Sequence, residues 1–214
     1  FQEFKIWQIL NNLQVEYDDA GSDALAASEK RRWLSLEEKE CLARELSYKD
    51  KLSKRDALTL LFGKAAKKYD LNYKEIEGNH TLAALYRAFF DIISLSGHEE
   101  YDINKLKADE VEAVTESVFT ALGINTDILH FDASLQGHAF DQQPLYQLWH
   151  LLYSYEGDNS KTGNDSLIAK LQALCHCEHE FAQVLANVTF QEDYGSLSAK
   201  AMRKILPFMK QGLT

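Results

Sequence analysis

The sequence predicts an all-α fold, an irregular domain of roughly nine short helices. Leucine and alanine, which suit helices, number 30 and 22, whereas valine and isoleucine, which strands favour, number 6 and 10. Proline occurs only at Pro144 and Pro207, so few helices are interrupted. Capping patterns and helical spacing of apolar residues recur along the chain. These three observations favour helices throughout.

In the first third of the chain, the sequence pattern predicts three helices joined by polar connectors. Residues 2–14 form the first helix, because their apolar side chains recur at helical spacing. Asn11 and Asn12 are poor residues inside a helix, so they either have a specific role there or mark its end. Residues 16–30 form a polar loop. Two patterns of a serine followed three residues later by an acid predict capped helix starts at Ser35 and Ser53. Residues 70–80 are interpreted as a connector.

The rest of the chain predicts shorter helices. One helix begins at Thr81, a second covers residues 106–122, and a third begins near Asp141 and Pro144. Residues 166–187 form one broken helix or two short ones. Ser198 caps the last helix. Residues 156–165 form a loop, and Pro207 should kink the last helix. We therefore predict one domain over residues 1–214, with a division near residues 75–80 as the alternative.

The charge of the chain is unevenly distributed. The formal net charge is −10, which taken as a total disfavours nucleic-acid binding. Residues 89–190 alone are net −12, whereas residues 1–88 are neutral and residues 191–214 are net +2. Within the neutral part, residues 49–74 are net +5. Because phosphate binding depends on the local field, the two basic stretches are candidates for it, and solvated helix faces are the alternative.

The sequence carries no recognisable catalytic motif. It lacks phosphate-binding glycine loops, the GxSxG turn, and a Ser or Cys nucleophile in context with a His and an acid. Nuclease carboxylates cluster to hold metal ions, but the acidic residues here are spread along helix faces. We therefore expect a non-catalytic chain without a cofactor.

One metal-like cluster runs from Cys175 to His179, with the sequence Cys-His-Cys-Glu-His. On a continuous helix Cys175 and His179 would share a face and could begin a zinc site. No second CxxC or HxxxH pattern supplies further ligands, and Cys41 is the only other cysteine. We expect packed cysteines and surface histidines, and no metal site.

The cysteines and the N-terminus indicate a cytoplasmic piece of a longer protein. Three cysteines, two of them two residues apart, make a poor disulfide framework and favour a reducing compartment. Signal-peptide and membrane-spanning patterns are missing, so we expect no membrane partner. The first helix begins directly after Phe1, which predicts a fragment; a processed N-terminus is the alternative.

Four aromatic side chains allow two interpretations each. Trp7, Trp33 and Trp149 could stack on bases, but two of them lie on apolar stripes, so we expect core positions. His150 follows Trp149 on an apolar helix, which favours a partly buried, hydrogen-bonded histidine over one that contacts a ligand.

The last helix combines several features that suit phosphate. Lys200, Arg203 and Lys204 have the spacing that places them on one helical face. The opposite face carries Met202, Ile205 and Met209, which we expect to face inward. Ser198 and the free amide groups beside it form a positive helix end. This element predicts a clamp on the nucleic-acid backbone and not a reader of bases.

Both ends of the chain resemble one family. The last segment has Leu197, Ser198, Lys200, Ala201, Arg203, Pro207, Met209 and Gly212. It is similar to the segment that closes the helical recognition lobe of type II CRISPR-associated RNA-guided DNA endonucleases, the Cas-nine family. The first helix has Phe4, Trp7, Leu10, Asn11, Asn12 and Leu13, and it resembles the helix that opens the same portion of that lobe. Gly78-Asn79, Leu52-Ser53 and Leu148-Trp149-His150 resemble the family more weakly.

The resemblance implies an all-α, non-catalytic recognition portion of the compact subtype, whose nuclease domains lie elsewhere in the parent protein. It implies that this portion helps to hold the guide RNA–target DNA heteroduplex, mainly its PAM-distal part. Lys200, Arg203 and Lys204, helped by Ser198, would contact phosphates. Asn11 and Asn12 would reach a ribose hydroxyl or the backbone, or else fix the packing of the first helix.

A protein-interaction module is the alternative function. The acidic residues 89–190 depart most from the family pattern, and an acidic face suits a basic partner. That partner would be another domain of the parent nuclease or a phage-encoded anti-CRISPR inhibitor. Both functions are compatible on different faces.

Overall fold

Helices dominate the computed structural model, which describes residues 1–18, 30–193 and 195–212. Ten α-helices lie in this described part: α1 Gln2–Leu10, α2 Leu36–Leu46, α3 Lys54–Phe62, α4 His80–Leu95, α5 Ala108–Leu122, α6 His138–Asp141, α7 Pro144–Tyr155, α8 Lys161–Cys175, α9 His179–Ala186 and α10 Ala199–Met209. Short 3-10 helices cover Gly63–Lys68, Ile103–Lys105 and Thr126–Leu129. The predicted helical character is confirmed, whereas the purely all-α fold is not, because small sheets are also present.

Among the described residues, five short strands form two antiparallel sheets. They are β1 Gln14–Tyr17, β2 Arg31–Trp33, β3 Lys51–Ser53, β4 Tyr69–Leu71 and β5 Glu75–Glu77. One sheet has the order β2-β1-β4 and the other pairs β3 with β5. Each strand has only three or four residues, too few to show an alternating pattern in the sequence.

These strands correct three sequence predictions. The first helix ends at Leu10 instead of residue 14, and its last predicted residue starts β1. Residues 16 and 17, predicted as loop, belong to β1, and residues 19–29 of that loop lie outside the described residues. The predicted connector 70–80 contains most of β4 and all of β5.

The chain divides into two compact units. The first unit comprises Phe1–Ala83 and Asp193–Thr214, and the second comprises Ala84–Glu192. The single domain over residues 1–214, with its alternative division near 75–80, stays a prediction. None of the described helices combines the length and apolar character that crossing a bilayer requires.

The core of the first unit is built around α1. Its buried side is Phe4, Ile6, Trp7 and Leu10. Met209 of α10 is buried in the same core. The predicted helix starts are confirmed, since the Oγ of Ser35 accepts from Glu38 N at 3.2 Å and that of Ser53 from Asp56 N at 3.1 Å.

The second unit packs its helices around aromatic and aliphatic side chains. Phe89 and Phe119 meet edge to face, with their ring centroids 5.3 Å apart. Gly123 follows α5 in the left-handed conformation, and the helix ends at Leu122, as predicted from the sequence. The helix α8 begins at Lys161, so the predicted loop 156–165 is shorter than expected.

The predicted core positions of the tryptophans are only partly confirmed. Trp7 is buried, but Trp33 is 56% exposed on the short strand β2 and Trp149 is only partly buried. His150 is exposed, although we expected it to be partly buried.

Candidate nucleic-acid interface

The N-terminus of α10 is capped as the sequence predicted. Ser198 has extended backbone, and its Oγ accepts a hydrogen bond from Ala201 N at 3.2 Å. The first turn carries no acidic residue. The partial positive charge of this helix end is therefore not opposed by a carboxylate of its own first turn.

The three basic side chains of α10 do not share one environment. Lys200 and Lys204, one turn apart, are exposed, and no acidic side chain of the described residues pairs with them. Arg203 is partly buried and interacts within the protein. The exposed positive charge is therefore carried mainly by the two lysines.

Docking against the first unit decides which side of α10 faces inward. Met209 is buried, and Met202 and Leu206 are partly buried against the core, a spacing of four and then three residues. Ile205 is exposed, so its predicted inward position is wrong, because the apolar stripe passes through Leu206 instead. Lys210 forms an ion pair with Glu3, which ties the end of α10 to α1.

Asn11 lies inside the first unit, with only 5% of its surface exposed. Its Nδ2 donates to the Met209 carbonyl at 3.1 Å, and its Oδ1 accepts from Lys39 Nζ at 3.0 Å. Burial lowers the pKa of Lys39. These bonds correspond to the packing role that the sequence left open, and direct contact of Asn11 with nucleic acid stays a prediction.

Asn12 differs from its neighbour because it is exposed. Its Nδ2 donates to the Gln8 carbonyl at 2.8 Å, and its own carbonyl accepts from Asn72 Nδ2 at 3.0 Å. Of the two asparagines, Asn11 and Asn12, only Asn12 therefore has a side-chain oxygen that can accept a hydrogen bond from a ligand in solvent.

The second basic stretch, residues 49–74, is partly neutralised. Lys49 pairs with Glu45 at 3.2 Å, Lys51 with Glu75 at 3.0 Å, and Lys54 with Asp70 at 2.8 Å. These lysines are engaged in tying the elements of the first unit together.

Three further lysines form a separate exposed group. Lys64, Lys67 and Lys68 lie on the 3-10 helix after α3, and no acidic partner is found for them in the part of the chain that is described. Phe62 and Tyr69 bracket this turn and stack with their centroids 3.8 Å apart. Our site prediction did not include this group, although the net charge of residues 49–74 indicated it. The three lysines have the same spacing as Lys200, Arg203 and Lys204, which could have identified them.

The cysteine segment is broken into two helices. The helix α8 ends at Cys175, His176 is left-handed with φ of 52°, and α9 begins at His179. Cys175 and His179 therefore do not lie on one continuous helix. Among the described residues no group of three or more His, Cys, Asp or Glu side chains could hold a metal ion.

The two neighbouring thiols affect each other. A hydrogen bond from Cys175 lowers the pKa of Cys177, and the same contact, together with burial, raises the pKa of Cys175. Because its pKa is lowered, the thiol of Cys177 loses its proton at a lower pH than an ordinary cysteine does.

We expect iodoacetamide to alkylate Cys177 with a pH midpoint below about 8.5, the value of an unperturbed thiol. In Cys175→Ala the stabilising hydrogen bond is lost, so the midpoint should rise. Mass spectrometry of the modified peptides measures the rate at Cys177 separately from that at Cys41. Identical midpoints in the two proteins would show that the thiol contact has no effect.

Comparisons with known proteins leave the family open: no protein-family model, no curated protein and no solved structure matches the chain.

Proposed function

We propose that this chain is a non-catalytic recognition portion of a type II CRISPR-associated RNA-guided DNA endonuclease, and that it helps to hold the PAM-distal part of the guide RNA–target DNA heteroduplex. The observation that carries the proposal is the exposed lysine pair Lys200 and Lys204 beside the Ser198-capped start of α10. The resemblance of both chain ends to the family indicates which ligand this lysine pair would bind, the guide RNA–target DNA heteroduplex.

The chemistry of this face suits a nucleic-acid backbone. Lysine ammonium groups contact phosphates as point charges, and the amide groups of a helix N-terminus add hydrogen-bond donors for the same oxygens. Such contacts position a duplex without reading its sequence. A protein in this role recognises the A-form geometry of the hybrid and leaves sequence to base pairing.

The docking of α10 makes the face a rigid one. Met209 is buried in the core, and Lys210 pairs with Glu3 of α1. A contact group held on a packed helix loses less freedom when the ligand binds than one on a loop. The lysines of the 3-10 helix Gly63–Lys68 add positive field within the same unit.

Lys200→Gln combined with Lys204→Gln is expected to weaken binding to an RNA–DNA hybrid. Each lost phosphate contact should reduce the salt dependence of binding, the slope of log K against log salt, by about 1. Fluorescence anisotropy with a labelled 20-base-pair hybrid, titrated at several salt concentrations, measures both quantities. The loss should be similar for hybrids of different sequence.

The matched control is Lys105→Gln combined with Lys161→Gln, which removes the same charge from two exposed positions of the second unit. This control should keep nearly the full salt slope. Equal losses in the two double variants would mean that net charge alone governs binding, and an unchanged affinity in the α10 variant would refute the proposed face.

A further inference from the structure

Six aromatic rings of the second unit form a continuous row, which we call the aromatic row. Its members are Phe131, Phe140, Tyr146, Trp149, His150 and Tyr153. Centroids of neighbouring rings lie between 5.1 and 6.3 Å apart. Phe131 is 45% and Tyr153 50% exposed, so the row reaches solvent at both ends.

The helix α7 presents most of the row. It buries a leucine stripe, Leu145, Leu148 and Leu152, and its aromatic residues lie beside that stripe. Two pairs one turn apart are nearly parallel: Tyr146 with His150 at 16°, and Trp149 with Tyr153 at 19°. Contacts between rings one helical turn apart stabilise their positions on the helix.

Gln143 fixes the Phe131 end of the aromatic row. Its Nε2 donates to the Asp132 carbonyl at 3.1 Å, and its Oε1 accepts from Asp132 N at 2.6 Å. The same Nε2 lies 3.4 Å from the Phe140 carbonyl. These bonds fix the segment after Phe131 beside the start of α7, and the Phe131 ring consequently meets Phe140 edge to face at 5.4 Å.

The part of the sequence that contains the row is strongly acidic. Between Lys107 and Lys161 the sequence contains nine carboxylates and no lysine or arginine. Asp132 directly follows Phe131, and Asp141 directly follows Phe140, and both are exposed. The row therefore combines the negative faces of aromatic rings with two exposed carboxylates that are adjacent to it in the chain.

We propose that the aromatic row is a docking surface for an arginine-bearing segment of a partner protein. A guanidinium group stacks on tyrosine and tryptophan faces and pairs with nearby carboxylates, so both features of the surface favour it. Lysine satisfies the charge but stacks less well. This interaction goes beyond hybrid binding and uses residues of the second unit only.

The negative charge of this segment favours an arginine-bearing peptide over a single-stranded nucleic acid as the ligand of the aromatic row. Aromatic platforms that stack bases are normally combined with a positive groove that follows the phosphates. Nine carboxylates without a basic residue produce the opposite field and repel a phosphate backbone.

The experiment uses the whole chain and two labelled peptides of equal length and spacing, one with arginine and one with lysine at every second position. Fluorescence anisotropy should show tighter binding of the arginine peptide. Phe131→Leu combined with Tyr153→Leu removes two exposed rings and keeps their apolar character. We expect this variant to bind the arginine peptide about fivefold more weakly and the lysine peptide almost unchanged.

Trp33→Leu is the matched control, because it removes an exposed ring from the first unit, and it should bind like the unmodified chain. Far-UV circular dichroism verifies that the variants are folded. The proposal is overturned if the arginine peptide does not bind, or if removal of the rings leaves its affinity unchanged. It is also overturned if the same rings are needed for a single-stranded RNA oligonucleotide, or only for self-association of the chain.

Discussion

Gly78→Ala is expected to lower the free energy of unfolding by about 3 kcal/mol or more. Gly78 is buried, and a Cβ at this position would lie 1.9 Å from the Lys49 carbonyl oxygen and 2.9 Å from that of Leu46. Both atoms belong to the backbone, so no side chain can rotate away. The Gly78 amide also donates to the Asp50 carbonyl at 2.7 Å, and a shift that relieved the clash would weaken this bond.

Urea unfolding followed by circular dichroism measures the effect. Asn79→Ala is the control at the neighbouring position: its Oδ1 accepts from Leu82 N at 3.0 Å, so the variant loses a helix cap without adding an atom near Lys49. The loss of a cap costs about 1 kcal/mol. Equal stability of the two variants would show that the backbone around Gly78 and Lys49 can shift to accommodate the added Cβ.

Asn11→Leu is the second large effect, with an expected loss of about 2–4 kcal/mol in the free energy of unfolding. Leucine has a similar size, but it removes the bonds to the Met209 carbonyl at 3.1 Å and to the Lys39 ammonium group at 3.0 Å. The carbonyl keeps the Gly212 amide as a donor, so the main loss is at Lys39. An uncompensated charge that is largely buried is costly. Adding Lys39→Met replaces both polar groups by apolar ones, so it should recover much of the stability.

The same pair of variants separates packing from ligand contact. If Asn11 acts by holding α1, α2 and α10 together, the stable double variant should bind the RNA–DNA hybrid nearly as well as the unmodified chain. A large loss of affinity in a stable double variant would show direct contact instead. Asn12→Ala is the exposed control, and it should change the unfolding free energy by less than about 1 kcal/mol.

Helix boundaries were largely predictable because their causes are local. The caps at Ser35, Ser53 and Ser198 involve an amide three residues away, and the stop at Gly123 depends on its own left-handed conformation. The first helix ends at Leu10 and not at residue 14, and the side chain of its C-cap residue, Asn11, binds partners 28 and 198 positions away that a local pattern does not show.

The strands could not be predicted because their pairing is distant in sequence. Val15 of β1 lies opposite Leu71 of β4, and neither strand has more than four residues. An isolated strand this short has no stability of its own, so only the assembled first unit specifies it.

The predominance of helix, the capped start of the last helix and the shared face of Lys200 and Lys204 were determined by the sequence alone, because each depends on composition or on residues a few positions apart. Only the tertiary structure decided that Arg203 is partly buried, that Ile205 is exposed and that Asn11 lies in the core. The physical reason is that these outcomes depend on which side of α10 docks against its unit, and that choice is made by residues far away in the chain.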